Sequence, residues 1–271
     1  MPGYRSFLPA ILFILLLSCG KPVPELDNYF DGFDGTIVIY DEMSGRYIRF
    51  NETRAVTRFS PCSTFKIPNA LIALESGVIP NSGHVIPWNS DLYPRQAWWS
   101  DNPWSTRAKD HTLTSAIKYS VVWYFKELAK MIGENRYQQY LSGFKYGNLD
   151  ISGGLTNFWL VSSLKISAHE QVEFLQNFYH NRLPFNPENI AQIKDAIILE
   201  EASGFRLSGK TGLGIIGDRT LGWLVGYIEK GDSVYFYALN IESENYEAVR
   251  SGRLEIVKDV FRELGVLPGT K

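Results

Sequence analysis

Ser63 and Lys66 are the residues of this chain whose types and spacing most directly suggest chemistry. They lie three positions apart and are followed by a helix-forming run over residues 67–75. On a helix, this spacing places a hydroxyl and an amine on one face. A serine becomes a good nucleophile when a base removes its proton, and a lysine in apolar surroundings loses its charge readily. The pair predicts serine-dependent acyl transfer, although Ser-x-x-Lys alone also occurs by chance on exposed helices.

A second motif, Lys210-Thr211-Gly212, ends a predicted strand that begins at Phe205. An ammonium and a hydroxyl there can hold a substrate carboxylate, and the glycine lets a ligand approach the backbone. Two shorter motifs precede it: Ser120-Val121-Val122, which we predict on a helix, and Tyr146-Gly147-Asn148, which we predict as a turn after a helix. Each motif is common by itself, so their order along the chain carries the information.

The composition is typical of a globular protein with a substantial core. The 271 residues are 45% hydrophobic and 14% aromatic, with 27 basic and 29 acidic side chains. This balance gives no electrostatic basis for binding nucleic acid, so a small neutral or singly charged molecule is the expected partner. The four histidines are scattered without the spacing of metal ligands, so we predict no metal site.

Residues 1–19 predict an export signal, because Arg5 precedes an apolar run over 7–17 that is too short to span a membrane comfortably. Residues 16–20 also resemble a bacterial lipoprotein cleavage box, in which Cys19 becomes the lipidated first residue. Ordinary cleavage near Cys19 is the alternative. Both interpretations place the protein in the periplasm or cell envelope, and only the first anchors it to a membrane. Cys19 and Cys62 are the two cysteines of the sequence, and Cys19 lies in the predicted signal, so we predict no internal disulfide. We interpret Cys62 as a packing residue.

The hydrophobic pattern predicts strands near both ends of the chain and helices between them. Strands are expected at 35–40, 46–50, 205–210, 221–229 and 233–241. Helices are expected near 113–131, 134–142, 168–181, 187–200 and 248–264. The predicted fold class is α/β in α+β layers, with an antiparallel sheet built from both chain ends and flanked by helices. Residues 24–62 and 201–271 would form this sheet domain, residues 63–200 a mostly helical inserted domain, and a site would lie in the crevice between them.

In this order, the motifs resemble the class D serine β-lactamases, the oxacillinase-type members of the penicillin-recognising superfamily. The resemblance covers nearly the whole chain after the signal and includes residues 158–160, 164–167 and 222–226. It implies a β-lactamase/transpeptidase-like fold, a β-lactam as the small-molecule substrate, and hydrolysis of that substrate.

The resemblance also implies how the reaction is catalysed. Ser63 would be the acylated nucleophile, and Lys66, N-carboxylated by carbon dioxide, the general base for acylation and deacylation. The indole N–H of Trp159 would hydrogen-bond the carbamate. No other cofactor is implied. The dry pocket around the amine is assigned to Phe65, Val122, Leu164 and Trp159.

The remaining assignments concern proton relay and substrate binding. Ser120 would pass a proton toward the β-lactam nitrogen, with Lys210 tuning it, and Thr211 would bind the substrate carboxylate. The backbone N–H groups of Ser63 and Leu213 would form the oxyanion hole. Val122, Tyr146 and Gly212 are also assigned to substrate binding. The family holds the carboxylate with an arginine of the last helix as well, and the spacing to the C-terminus favours Arg253 over Arg250.

One stretch departs from the family pattern. The residues between Trp88 and Trp104, with Trp98 and Trp99 among them, form a longer segment than the resemblance predicts. Two interpretations stay open: a loop at the rim of the site that shapes substrate choice, or a packed surface insertion.

Two other classes of protein use similar motifs. Penicillin-responsive sensors stop at the acyl-enzyme, but they require transmembrane helices, and the apolar segment here is short and lies at the start of the chain. D,D-peptidases usually have Ser-x-Asn where this chain has Ser120-Val121-Val122. The Glu-x-x-Leu-Asn motif that class A β-lactamases use for deacylation is also missing, which assigns that role to Lys66.

Overall fold

The structure, a computed structural model, describes residues 25–96, 99 and 104–269. The predicted export signal with Cys19, and Trp98 in the long segment, lie outside the described residues. The strands are β1 (Asp34–Asp41), β2 (Arg46–Phe50), β3 (Val85–Ile86), β4 (His111–Thr112), β5 (Ile198–Ala202), β6 (Phe205–Ile216), β7 (Arg219–Lys230) and β8 (Ser233–Ser243). The α-helices are α1 (Glu52–Val56), α2 (Lys66–Glu75), α3 (Leu113–Lys118), α4 (Val122–Ile132), α5 (Glu134–Gly143), α6 (Ala168–Tyr179), α7 (Pro187–Ala196) and α8 (Tyr246–Glu263).

Both ends of the chain meet in one antiparallel sheet. Its six strands follow the order β2-β1-β8-β7-β6-β5, so β1 from the N-terminal part pairs with β8 from the C-terminal part. Val38, for example, lies opposite Ala238. The predicted antiparallel sheet from both chain ends is confirmed. The two-domain division by residue number stays a prediction.

The sheet is covered on both faces, which explains why β7 is buried along most of its length. On one face, Leu224 and Ile228 belong to a core cluster with Val257 and Phe261 of α8. On the other face, β7 contributes to a larger cluster with the helices of the middle region. Strands buried on both faces are nearly continuously apolar.

Within the described residues, no helix is both long enough and apolar enough to cross a bilayer.

Three details of the predicted secondary structure were wrong. The stretch 113–131 is two helices, because the chain turns between α3 and α4 at Ser120, whose φ is 53°. The stretch 187–200 is helical only to Ala196, after which Ile198 pairs with Ser208 at the sheet edge. The strand that begins at Phe205 continues through the Lys-Thr-Gly motif instead of ending there. Pairing with neighbouring strands explains the last two differences, since a short apolar run suits either a helix or a strand.

Gly222 of β7 sets how closely α8 approaches the sheet. A Cβ at this position would lie 2.5 Å from Val249 Cγ1 and 3.1 Å from Arg253 Cδ. We therefore expect Gly222→Ala to displace α8 and lower the free energy of unfolding by about 1–3 kcal/mol, measured by urea denaturation. Gly269→Ala is the control, because no heavy atom lies within 4 Å of its added Cβ. Equal stabilities for the two variants would contradict this account of the packing.

Candidate active site

Ser63 lies in a 3₁₀ helix, Cys62–Phe65, that leads directly into α2. Cys62 has a φ of 50°, so the chain bends sharply just before the serine. The hydroxyl of Thr64 donates a hydrogen bond to the Pro61 carbonyl at 2.8 Å and supports this bend. Lys66 Nζ lies 2.7 Å from Ser63 Oγ. The predicted nucleophile and base are therefore brought within hydrogen-bonding distance.

Lys66 is completely buried, with an exposed fraction of 0%. Its surroundings are aromatic: Phe65 and Trp159 are equally buried, and the ring of Phe125 lies 5.2 Å from Nζ. Burial lowers the pKa of Lys66 well below its ordinary value, and the positive charges of Lys210 and Arg107 lower it further. The amine is thus favoured in its neutral form, which can accept the serine proton.

Trp159 packs against the residues that surround the lysine. Its ring stacks on that of Phe65 with the centroids 5.6 Å apart. Its carbonyl accepts a hydrogen bond from the Ser60 hydroxyl at 3.0 Å. Its buried indole Nε1, in contrast, has no hydrogen-bond partner among the described residues. An unsatisfied buried donor costs about 1–3 kcal/mol, so this N–H suits an added acceptor.

A second serine–lysine pair faces the first. Lys210 Nζ of β6 donates to Ser120 Oγ at 3.2 Å and to the Thr211 carbonyl at 3.0 Å. Ser120 occupies the left-handed turn between α3 and α4. The prediction that Ser120 lies on a helix was therefore wrong. Burial, together with the charges of Arg253 and Arg107, lowers the pKa of Lys210 to about 7. This pair can therefore exchange a proton near neutral pH.

The middle of β6 forms the other wall of the site. Strand β5 pairs with β6 only as far as Ser208, and the amide of Gly209 makes the last hydrogen bond on that side. Beyond Gly209, this edge of β6 has no strand partner among the described residues. The edge lies against the turn that carries Ser63. A Cβ on Gly212 would lie 3.0 Å from the Pro61 carbonyl oxygen, so the close approach leaves little room for a side chain here.

The last helix supplies the predicted arginine. Arg253 is buried, and its Nη1 donates to the Gly212 carbonyl at 2.7 Å. Burial lowers its pKa to about 10. Arg250 is more exposed and forms an ion pair with Glu247 at 2.6 Å. Both arginines line the cavity in front of Ser63, and Arg253 is bonded directly to β6 through the Gly212 carbonyl.

These walls enclose a cavity of about 160 Å³. Predicted residues that line it are Ser63, Ser120 and Val122 on the helical side, and Thr211, Gly212, Leu213 and Arg253 on the side of β6 and α8. Lys66 lies directly behind Ser63. Tyr146 is not brought to this cavity: it is 1% exposed, and its ring contacts the edge of Phe65 at 5.7 Å between centroids.

Sequence reasoning missed Arg107. It ends the 3₁₀ helix Trp104–Arg107, is 6% exposed and also lines the cavity. Its Nε donates to the Tyr119 carbonyl at 3.1 Å, next to the turn that holds Ser120. No motif indicated this residue, because an arginine in a polar segment is usually a surface charge. Only the packing of that segment against α4 brings it into the site.

A nucleophilic serine beside a buried lysine, with a second serine–lysine pair opposite, defines a serine acyl-transfer site of the penicillin-recognising type. Residues 35–264 match the family model of the penicillin binding protein transpeptidase domain, and the chain belongs to this family. Class D β-lactamases and the domain of a penicillin receptor are among its relatives.

Two curated relatives illustrate this range. The regulatory protein BlaR1 of Bacillus licheniformis is 37% identical over 247 residues, which cover 90% of this chain and 39% of BlaR1. The β-lactamase OXA-48 of Klebsiella pneumoniae is 36% identical over 234 residues, covering 86% of this chain and 84% of that enzyme. The chain thus spans about two fifths of the length of BlaR1 and most of the length of OXA-48.

Solved structures show the same two kinds of relative. The class D β-lactamase FUS-1 (OXA-85) of Fusobacterium nucleatum subsp. polymorphum superimposes with a TM-score of 0.81 at 37% identity, covering 89% of this chain and 98% of that one. The C-terminal domain of the Bacillus licheniformis BlaR penicillin receptor superimposes with a TM-score of 0.82 at 36% identity, covering 90% and 96%. The antiparallel sheet flanked by helices is therefore the fold of these class D enzymes.

The low pKa of Lys210 has a measurable effect on stability. Folded Lys210 has a pKa of about 7, whereas an unfolded lysine titrates near 10.4. Between these values the unfolded chain binds more protons, so this group makes the folded state more stable as pH rises. Lys210→Met removes that contribution. The free energy of unfolding of the variant relative to wild type should therefore fall between pH of about 7 and about 10, measured by urea denaturation. A difference independent of pH would contradict the assignment.

Proposed function

We propose that this protein hydrolyses β-lactam antibiotics through an acyl-enzyme on Ser63, as a class D serine β-lactamase. The observation that carries the proposal is the fully buried Lys66 amine 2.7 Å from Ser63 Oγ. The relatives named as class D β-lactamases support it, because the chain covers nearly all of their solved structures.

Acylation follows from the positions of the two serine–lysine pairs. The base carried by Lys66 would take the proton of Ser63 as Oγ attacks the lactam carbonyl, and the backbone N–H groups of Ser63 and Leu213 would stabilise the developing oxyanion. The carbon–nitrogen bond of the ring then breaks. The leaving nitrogen takes a proton from Ser120, which Lys210 replaces across the 3.2 Å contact.

Deacylation requires a base that can act on water. The neutral Lys66 amine can add carbon dioxide, and the resulting carbamate would supply a carboxylate-like base for both half-reactions. The residues present fit this group, since the amine is held neutral by burial and the buried Trp159 indole N–H has no acceptor. Once the base has released the Ser63 proton to solvent and Lys210 has regained one, the base takes a proton from water, whose oxygen attacks the ester carbonyl. The bond to Ser63 Oγ then breaks, Oγ takes that proton from the base, and the ring-opened acid leaves.

The substrate carboxylate is assigned to Thr211 and Arg253. Both line the cavity, and the link between Arg253 and the Gly212 carbonyl holds the guanidinium beside Thr211. Arg250 lies at the same cavity but is already paired with Glu247. We assign it a smaller part in substrate binding.

A penicillin sensor is the second candidate, and the match to the BlaR receptor domain favours it. A sensor would use the same acylation half-reaction and then stop. We retain hydrolysis as the proposal because the pocket around Lys66 fits a base for the second half-reaction.

We also propose that the protein is exported to the periplasm or cell envelope, with Cys19 as a candidate lipid anchor. The basis for this proposal is the apolar run at 7–17.

Turnover distinguishes the two candidates. With a chromogenic β-lactam, we expect a burst of about one product per chain followed by steady hydrolysis, whereas a sensor would give the burst alone. Ser63→Ala should abolish both hydrolysis and the gain of one drug mass in intact-mass spectrometry. If wild type stopped after one acylation with bicarbonate present, the sensor would replace the enzyme. If Ser63→Ala still gained the drug mass, Ser63 would not be the nucleophile.

The base on Lys66 gives a separate test. A carbamate forms only from the neutral amine, so activity should fall in mildly acidic buffer depleted of carbon dioxide and recover when bicarbonate is added. Lys66→Ala should lose turnover without recovery. Trp159→Phe keeps an aromatic side chain but removes the N–H, so acyl-enzyme should accumulate and bicarbonate should restore part of the activity. Indifference of wild type to bicarbonate, with normal turnover by Lys66→Ala, would exclude this mechanism.

A further inference from the structure

The segment between α5 and α6 carries Trp159 and is closed at its base by Asn148. The Asn148 side chain accepts a hydrogen bond from the Lys165 amide at 2.8 Å and donates one to the Ser163 carbonyl at 2.9 Å. The Asn148 amide also donates to the Lys165 carbonyl at 2.9 Å. The two ends of residues 148–165 therefore lie side by side. We call this segment the tryptophan loop.

Ser60 holds the middle of the tryptophan loop. Its hydroxyl donates to the Trp159 carbonyl at 3.0 Å and accepts from the Val161 amide at 2.9 Å. Ser60 is buried, and its own carbonyl accepts a hydrogen bond from the indole of Trp223 in β7 at 2.9 Å. This one hydroxyl, three residues before the nucleophile Ser63, thus fixes the loop backbone at two points and ties it to the sheet.

The backbone at Val161 is strained. Its φ is 51°, a left-handed conformation that is unfavourable for a β-branched residue and persists only where neighbouring contacts maintain it. One such contact is the hydrogen bond to Ser60. Another is with β6, since a Cβ on Gly214 would lie only 2.4 Å from Val161 Cγ2. Loss of the Ser60 hydroxyl would leave the Trp159 carbonyl and the Val161 amide without this partner and allow the strained backbone to relax.

A shift of this backbone would move the indole of Trp159. The side chain is fully buried, and its Nε1 has no hydrogen-bond partner among the described residues. The ring stacks on Phe65 and meets Phe158 edge-on, with the centroids 5.6 Å and 4.9 Å apart. Because the ring is enclosed in this way, the direction of its N–H depends on the backbone position that Ser60 fixes.

We propose that Ser60 is a positioning residue for the base carried by Lys66 and that it acts through Trp159. Its hydroxyl holds the tryptophan loop where the Trp159 indole N–H can donate to the carbamate. Ser60 does not line the cavity in front of Ser63, so it would act without contacting the substrate. This inference rests on the Lys66 carbamate of the proposed function and adds a residue that supports it.

The indole N–H of Trp159 gives a readout that needs neither substrate nor carbon dioxide. In protein labelled with ¹⁵N at tryptophan, its NMR signal is the one that Trp159→Phe removes. We expect Ser60→Ala to shift this signal and to speed its exchange with solvent hydrogen, because the loop opens more easily without the two hydrogen bonds. Ser76→Ala is the matched control, since Ser76 donates to the Ile72 carbonyl at the C-terminal end of α2. It should leave the signal unchanged.

The carbamate itself gives the second readout. Without substrate, ¹³C-bicarbonate is added and the carbamate signal that Lys66→Ala removes is followed by ¹³C NMR. We expect Ser60→Ala to require roughly threefold to tenfold more bicarbonate for half of the signal, because one hydrogen bond to the carbamate is weakened. In a Trp159→Phe background, Ser60→Ala should add nothing, because the N–H through which it acts is already gone.

Three results would overturn the proposal. In the first, Ser60→Ala leaves the Trp159 signal unchanged. In the second, Ser76→Ala changes that signal as much as Ser60→Ala does. In the third, Ser60→Ala raises the bicarbonate requirement equally with and without Trp159→Phe, which would mean that it acts by another route. Failure of the proposed base is distinguishable, because wild type would then give no carbamate signal on Lys66, while the indole signal would still decide whether Ser60 holds the loop.

Discussion

The burial of one lysine amine beside one serine hydroxyl is the constraint on which this structure depends. Desolvating an ammonium costs several kcal/mol, and loss of the proton avoids that cost. The aromatic packing around Lys66 is therefore part of the chemistry, because it keeps the amine neutral and 2.7 Å from Ser63 Oγ. Arg107 and Lys210 act in the same direction through their charges.

The sheet imposes the second constraint, since it brings three distant parts of the chain to one place. The edge of β6 approaches the turn of Ser63 so closely that position 212 has little room for a side chain. Arg253 of α8 then bonds the carbonyl of the same glycine. A displacement of α8 would consequently move Arg253 relative to β6, and Gly222 sets the position of α8.

The two functions considered for this chain differ in the second half of one reaction. Both would use a nucleophile, a proton relay and an oxyanion hole, and the residues proposed for these roles lie on the two facing walls of the site. Hydrolysis further requires a base that survives acylation and can reach water. The unsatisfied indole N–H of Trp159 is the feature of this chain that bears most directly on that step.

Residue types and their order were enough to predict the sheet from both chain ends, which the structure confirms. They were also enough to single out Ser63, Lys66 and Lys210, which the structure brings to one site and whose catalytic roles stay a prediction. Those predictions rest on local spacing and strand periodicity, which a sequence displays directly. Tertiary structure alone decided that Ser120 occupies a left-handed turn, that Tyr146 belongs to the core, and that Arg107 reaches the cavity. The physical reason is that these three placements depend on contacts between segments far apart in the chain. The local pattern of apolar and polar residues does not specify which distant segments meet.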